Sequence, residues 1–150
     1  ANTDTRNGEE LGAPIFQATV AAAMEYEVDV ICTATMASAP VVLGAWLQPG
    51  QHLDLIGAYN PKMREVDDAA MARARVFVDA RATTLHHIGE LMAPLASGAM
   101  TEADICGDFY ELDRFQRGAA DEITIAKNGG GAHLDLITSR YILDKWQEAK

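Results

Sequence analysis

An α/β fold built on a parallel sheet is what this sequence predicts, and three observations carry that reading. Short runs rich in β-branched and aliphatic residues, at 29–35, 51–58 and 74–80, alternate with helical or loop stretches between Val28 and Asp79. Each run ends in small residues, as strands do where a ligand lies outside their carboxyl ends and backbone must come close to it. The third observation is an absence: no G-x-G-x-x-G turn occurs, and the triple glycine of Gly129, Gly130 and Gly131 follows a late strand rather than the first. Together these predict a dinucleotide-binding type of sheet whose first βαβ unit, the one that carries the glycine loop, is missing.

Taken in order, residues 8–11 end a helix, with Gly12 as its C-cap, ahead of a first strand at 14–18. Thr19 caps a crossover helix over 20–27, whose apolar residues suit packing against a sheet. The strand at 29–35 comes next. Residues 39–50 hold Pro40 and Pro49, a short helical turn around 44–47, and the turn signal Pro49-Gly50. After the strand at 51–58 a loop leads to a helix over 67–73, with Asp67 and Asp68 at its electropositive amino end. Residues 76–79 form the last strand of the regular series. Helices are predicted at 83–95 and 102–115, a strand at 123–127 and a long closing helix at 132–149. No internal repeat or low-complexity segment interrupts this order.

Composition narrows the function classes. A chain of 150 residues, 49% of them hydrophobic, suits one domain able to bury roughly 68–70% of its unfolded surface. Its formal net charge of -10 argues against nucleic acid and anionic membranes as partners, since like charges repel. No apolar run reaches the ~20 residues that span a bilayer and no leader-like segment opens the chain, so a cytoplasmic location is expected. Cys32, in an apolar run, reads as a buried structural thiol, and no disulfide with Cys106 is expected. His52, His86, His87 and His133 are scattered, and adjacent helical histidines face apart, so no metal site is predicted.

Several motifs then recur in a fixed order: Asp-Val-Ile-Cys-Thr-Ala-Thr at 29–35, Gly-Ala-Trp-Leu-Gln-Pro-Gly at 44–50, Ile-Gly-Ala-Tyr-Asn-Pro-Lys-Met-Arg-Glu-Val-Asp-Asp at 56–68 and Val-Asp-Ala-Arg at 78–81. With Gly89-Glu90 and the closing Asp-Glu-Ile-Thr-Ile-Ala-Lys-Asn-Gly-Gly-Gly-Ala at 121–132, they resemble the ornithine cyclodeaminase/mu-crystallin family from about Glu9 onward. Members of that family are homodimers with a Rossmann-type NAD(P) domain and a separate substrate and dimer domain. They include a cyclising deaminase, ketimine reductases and alanine dehydrogenases. The resemblance covers only the carboxyl-terminal portion of such proteins. It therefore implies an incomplete Rossmann-like sheet, with two strands and the substrate domain lying upstream.

The resemblance places Thr33, Ala34, Thr35 and Met36 along a dinucleotide, and Ile56, Gly57 and Ala58 in the turn that passes the nicotinamide ring. Without it, the threonines are also simply good strand residues and Gly57 a strand-ending turn, although a glycine there often marks a close backbone approach. Asn128 matches a small polar residue near the nicotinamide amide, ahead of glycines that equally suit a flexible connector. Tyr59 departs from the cyclodeaminases, which carry a catalytic aspartate there. A phenol with a pKa of about 10 is no carboxylate base, so imine reduction is the better parent chemistry. Arg64 and Glu65 read as a solvated pair at a helix entry. His133 and Asp135 receive no role, and no catalytic residue is assigned.

Two functional expectations follow. The chain is part of an NAD(P)-dependent imine or amino-acid oxidoreductase, binding NAD or NADP weakly or not at all by itself and inactive alone for want of the glycine loop. Alternatively it is a non-catalytic truncated or recombined protein that serves as a homo-oligomeric assembly module. In either case the strand at 14–18 is expected to pair beside 29–35, within one chain or exchanged between two. Leu134, Ile137, Tyr141 and Trp146 are then expected to join the core or a dimer interface.

Overall fold

The computed structural model describes residues 28–150. The expected helix end at 8–11, strand at 14–18 and helix at 20–27 lie outside the described residues. Among the described residues five strands, all parallel, form the sheet: β1 (Val30–Thr33), β2 (His52–Leu55), β3 (Arg75–Val78), β4 (Ile105–Gly107) and β5 (Thr124–Lys127). Their spatial order is β1-β2-β5-β3-β4. The order 3-2-1-4-5-6 would set β2 beside β3, but the last strand enters between them. Burial explains the place of β5: Thr124, Ile125 and Lys127 are all buried, and a strand covered on both faces belongs in the middle of a sheet.

Register fixes the core. Leu53 pairs with Ile125, which pairs with Val76, and Leu55 pairs with Lys127, which pairs with Val78, so alternation puts all of these on one face. That face packs on helix α1 (Asp68–Arg73), on Leu91 of helix α3 (Gly89–Ser97), and on Val42, Leu47 and Val66. Asp67 ties the layer together, because its Oδ1 accepts the Ala70 N–H at the start of α1 (2.9 Å) and the Gly44 N–H of the helical turn Gly44–Trp46 (2.8 Å). Arg73, in the last turn of α1, returns hydrogen bonds to the Gly44 and Leu47 carbonyls. Gly50 closes the turn before β2 at φ 83°, in the left-handed region where other residues are strained.

Three expectations change. Residues 102–115 are not a helix: a short turn (Glu102–Asp104) leads to β4, and a second turn (Leu112–Arg114) follows. Ile105 is drawn onto the core beside Val76, and this tertiary pairing overrides the polar, helix-like pattern around it. The helix predicted at 83–95 is split into α2 (Arg81–Thr84) and α3. Thr83 and Thr84 donate their hydroxyls to the Ala80 carbonyl, and the Gly89 N–H leaves the helical ladder for the Asn60 carbonyl (2.9 Å). Cys32 is exposed rather than buried, since alternation turns it with Asp54 to the face of β1 that the described residues leave open.

The closing helix α4 (Ala132–Glu148) forms as expected, but its apolar residues do not enter the core. Ile137, Tyr141 and Trp146 are exposed, Ile137 to 63%, and Leu134 is half-buried. No helix among the described residues is long and apolar enough to cross a membrane.

Candidate functional site

Parallel strands send all their carboxyl ends to one edge of the sheet, and the candidate residues gather there. Thr33, the last residue of β1, pairs with Leu55 of β2, which pairs with Lys127 of β5, so the three loops that follow are neighbours. The ladder extends one rung into them: Ile56 N–H donates to the Thr33 carbonyl (2.8 Å) and Asn128 N–H to the Leu55 carbonyl (3.0 Å). Beyond this rung the loops separate from regular pairing.

Along this edge Met36 is 73% and Ile56 47% exposed, Ala34 is exposed, and Gly57 and Asn128 are half-buried. Ala58 has no exposed surface and packs with Met63 and Ile88, so it supports the edge from inside. Thr33 is buried, and its Oγ1 has no hydrogen-bond partner among the described residues. Asn128 spends its side-chain oxygen locally, accepting the Gly130 N–H at 2.8 Å. Tyr59 stands exposed.

Glu65 contradicts the expectation of a solvated pair with Arg64. It is 0% exposed, and Arg64 instead pairs with Asp68 and donates to the Val66 carbonyl (2.7 Å). The Glu65 carboxylate accepts the Thr35 N–H (2.7 Å) and the Thr35 hydroxyl (2.9 Å) on Oε1, and the Gly57 N–H (2.8 Å) on Oε2. The Thr35 donors expected to face a ligand are thus committed inward. Gly57 is required by close approach rather than by φ, since a Cβ there would overlap the Thr35 backbone and Glu65 Oε1.

Below lies a second buried carboxylate. Glu90 accepts the Glu65 N–H (2.6 Å) and the Val66 N–H (2.9 Å), one on each oxygen. Burial pushes its pKa up to about 7, opposed by those two amides and by the Lys127 charge. Lys127 is 1% exposed and donates its Nζ to the Leu55 carbonyl (3.0 Å). Desolvation lowers its pKa, while Glu90 and Glu65 draw it back up. Asp79, at the end of β3, accepts the Gly129 N–H (2.9 Å) and fastens the loop after β5.

Glu90, Lys127 and Asp79 received no role from sequence reasoning, and Glu65 was read only as a solvated partner of Arg64. Lys127 gave one signal, because period-two alternation puts it on the same face as Ile125. Exposed Ala34, Met36 and Ile56 leave apolar side chains along this edge, and Gly57 allows the loops to close up. The described residues hold no group of His, Cys, Asp and Glu arranged for a metal.

Comparison with known proteins agrees with this geometry. The ornithine cyclodeaminase/mu-crystallin family matches residues 3–150. A Delta(1)-pyrroline-2-carboxylate reductase of Paracoccus denitrificans is 59% identical over 119 residues, which are 77% of this chain and 38% of that protein. The solved structure of Thermococcus litoralis Delta(1)-pyrroline-2-carboxylate reductase, in complex with NADH and L-proline, superposes with a TM-score of 0.77 at 28% identity, covering 86% of this chain and 41% of that one. An archaeal alanine dehydrogenase dimer with bound NAD gives a TM-score of 0.71 at 27% identity, over 81% of this chain and 38% of that one. The chain thus spans about two fifths of the length of the relatives it matches.

Proposed function

Because the chain belongs to the ornithine cyclodeaminase/mu-crystallin family, we propose that it forms one wall of the nicotinamide crevice in an NAD(P)H-dependent reductase of cyclic imine carboxylates. The observation that carries this reading is the adjacency of the loops leaving β1, β2 and β5 at one carboxyl edge, with Ala34, Met36 and Ile56 exposed along it. Bound there, NAD(P)H supplies a hydride to the imine carbon. The chain's own part is to hold the cofactor and to exclude water: Ala34, Met36 and Ile56 pack against it, and Asn128 lies where a polar carboxamide is met. Tyr59 favours reduction over ammonia elimination, because the cyclodeaminases carry a catalytic carboxylate at this position and this chain does not.

The test is a chimera joining this chain to the front part of the Paracoccus denitrificans reductase. It is expected to oxidise NADH or NADPH when given Delta(1)-pyrroline-2-carboxylate, and to release no ammonia from ornithine. Ammonia release at a comparable rate would contradict the reading.

A second reading, a homo-oligomeric assembly module, is favoured by one observation: Leu136, Ile137, Tyr141, Ile142, Leu143 and Trp146 all lie exposed on α4.

A further inference from the structure

We propose that Glu65 is the positioning residue of this crevice, a single buried carboxylate that locks the loop leaving β1 to the loop leaving β2. Its role rests on the cofactor wall proposed above. Regular pairing between β1 and β2 ends where Ile56 N–H meets the Thr33 carbonyl. Past that point Glu65 supplies the missing rungs, with Oε1 on the amide and hydroxyl of Thr35 and Oε2 on the amide of Gly57. At 2.7–2.9 Å all three are within ordinary hydrogen-bond distance.

The anchored residues alternate with the wall residues. Thr35 sits between Ala34 and Met36, and Gly57 follows Ile56 directly. Whatever fixes Thr35 and Gly57 therefore sets the spacing of the exposed surface on both loops. Glu65 is itself held on its backbone: Glu90 accepts its N–H, while its carbonyl accepts the N–H groups of Val41 (2.8 Å) and Val42 (3.0 Å). A group fixed by its main chain can transmit position through its side chain.

Substitution chemistry makes the idea testable. Glu65→Gln keeps size but replaces one acceptor with an NH2 donor, which faces an N–H on one loop or the other. Amide hydrogen exchange, read residue by residue on the full chain, is expected to show Thr35 or Gly57 losing about tenfold or more of its protection in E65Q, the effect of losing a hydrogen bond to a charged group. The Leu53 and Ile125 amides, in the ladder, should keep theirs. NADH titrated into the same samples to about 5 mM, enough to detect millimolar binding, should shift the Ala34 and Ile56 amides of the native chain and bind E65Q about tenfold more weakly. Thr35→Val provides the second variant. It removes the hydroxyl bond to Glu65 and the longer one that the hydroxyl accepts from the Ala37 N–H (3.4 Å), both on the β1 loop, yet Gly57 on the β2 loop should exchange faster, an effect across the lock that local packing alone would not produce.

Unchanged exchange at Gly57 in both variants, with NADH shifts intact, overturns the role of Glu65 and leaves the crevice standing. A native chain in which NADH moves neither loop overturns the crevice itself, and with it the positioning role.

Discussion

At the scale of single residues, the buried carboxyl of Glu90 makes stability depend on pH. Its folded pKa of about 7 lies above the ordinary 4.5, so the folded state holds its proton more tightly than the unfolded chain does. This group therefore erodes stability as pH rises from about 4.5 to about 7, by up to about 3 kcal/mol, and erodes it no further above that window. Chemical denaturation from pH 5 to pH 7.5 should show the decline, and Glu90→Gln should flatten it. An equal slope in the two proteins would refute the assignment. Thr33 gives a prediction of opposite sign: its buried Oγ1, without a partner among the described residues, carries a desolvation cost of about 1–3 kcal/mol, so Thr33→Val should leave the denaturation midpoint unchanged or raise it. Gly57→Ala should lower the unfolding free energy by about 1–3 kcal/mol, because the added methyl meets Thr35 backbone rather than a yielding side chain. The close approach at Gly57 was legible from a glycine ending an apolar strand. The burial of Glu65 was not, since nothing local distinguishes a carboxylate next to an arginine at a surface from one turned inward to collect two loop amides.

Among the secondary-structure elements, β1, β2, β3 and β5 were legible because each lies in a short run of aliphatic or β-branched residues between turn signals, and α1 because Asp67 and Asp68 mark its amino end. β4 was not. Three residues, one of them Gly107, sit among Asp104, Asp108 and Glu111, and only the pairing of Ile105 and Gly107 with β3 makes them a strand. The central place of β5 was likewise set by long-range pairing, which no local pattern records. Helix α4 formed where periodicity put it, yet among the described residues it contributes none that is buried. At concentrations low enough for the monomer, deleting residues 133–150 should therefore change the stability of the sheet by less than about 1 kcal/mol, as for surface changes away from the core. A loss of several kcal/mol in denaturant titration would show that the helix packs on the sheet after all.

For the whole molecule, two properties oppose each other: a net charge of -10 that resists association, and the exposed apolar residues of α4 that favour it. Apolar burial should prevail at physiological salt, where surface charges are screened beyond about 8 Å, giving a dimer or larger closed assembly by sedimentation at about 100 μM. A clean 16.2 kDa monomer at that concentration would set the assembly reading aside. The central claim, that the carboxyl edge of the sheet is a cofactor wall, is tested most directly by mapping amide shifts on titration with NADH and NADPH. The account predicts saturable shifts confined to Ala34, Met36, Ile56, Gly57 and Asn128, with a dissociation constant weaker than about 10 μM because the described residues hold no glycine-rich phosphate turn. Shifts centred on His52 at the amino end of β2, or none at the five named residues, would contradict it.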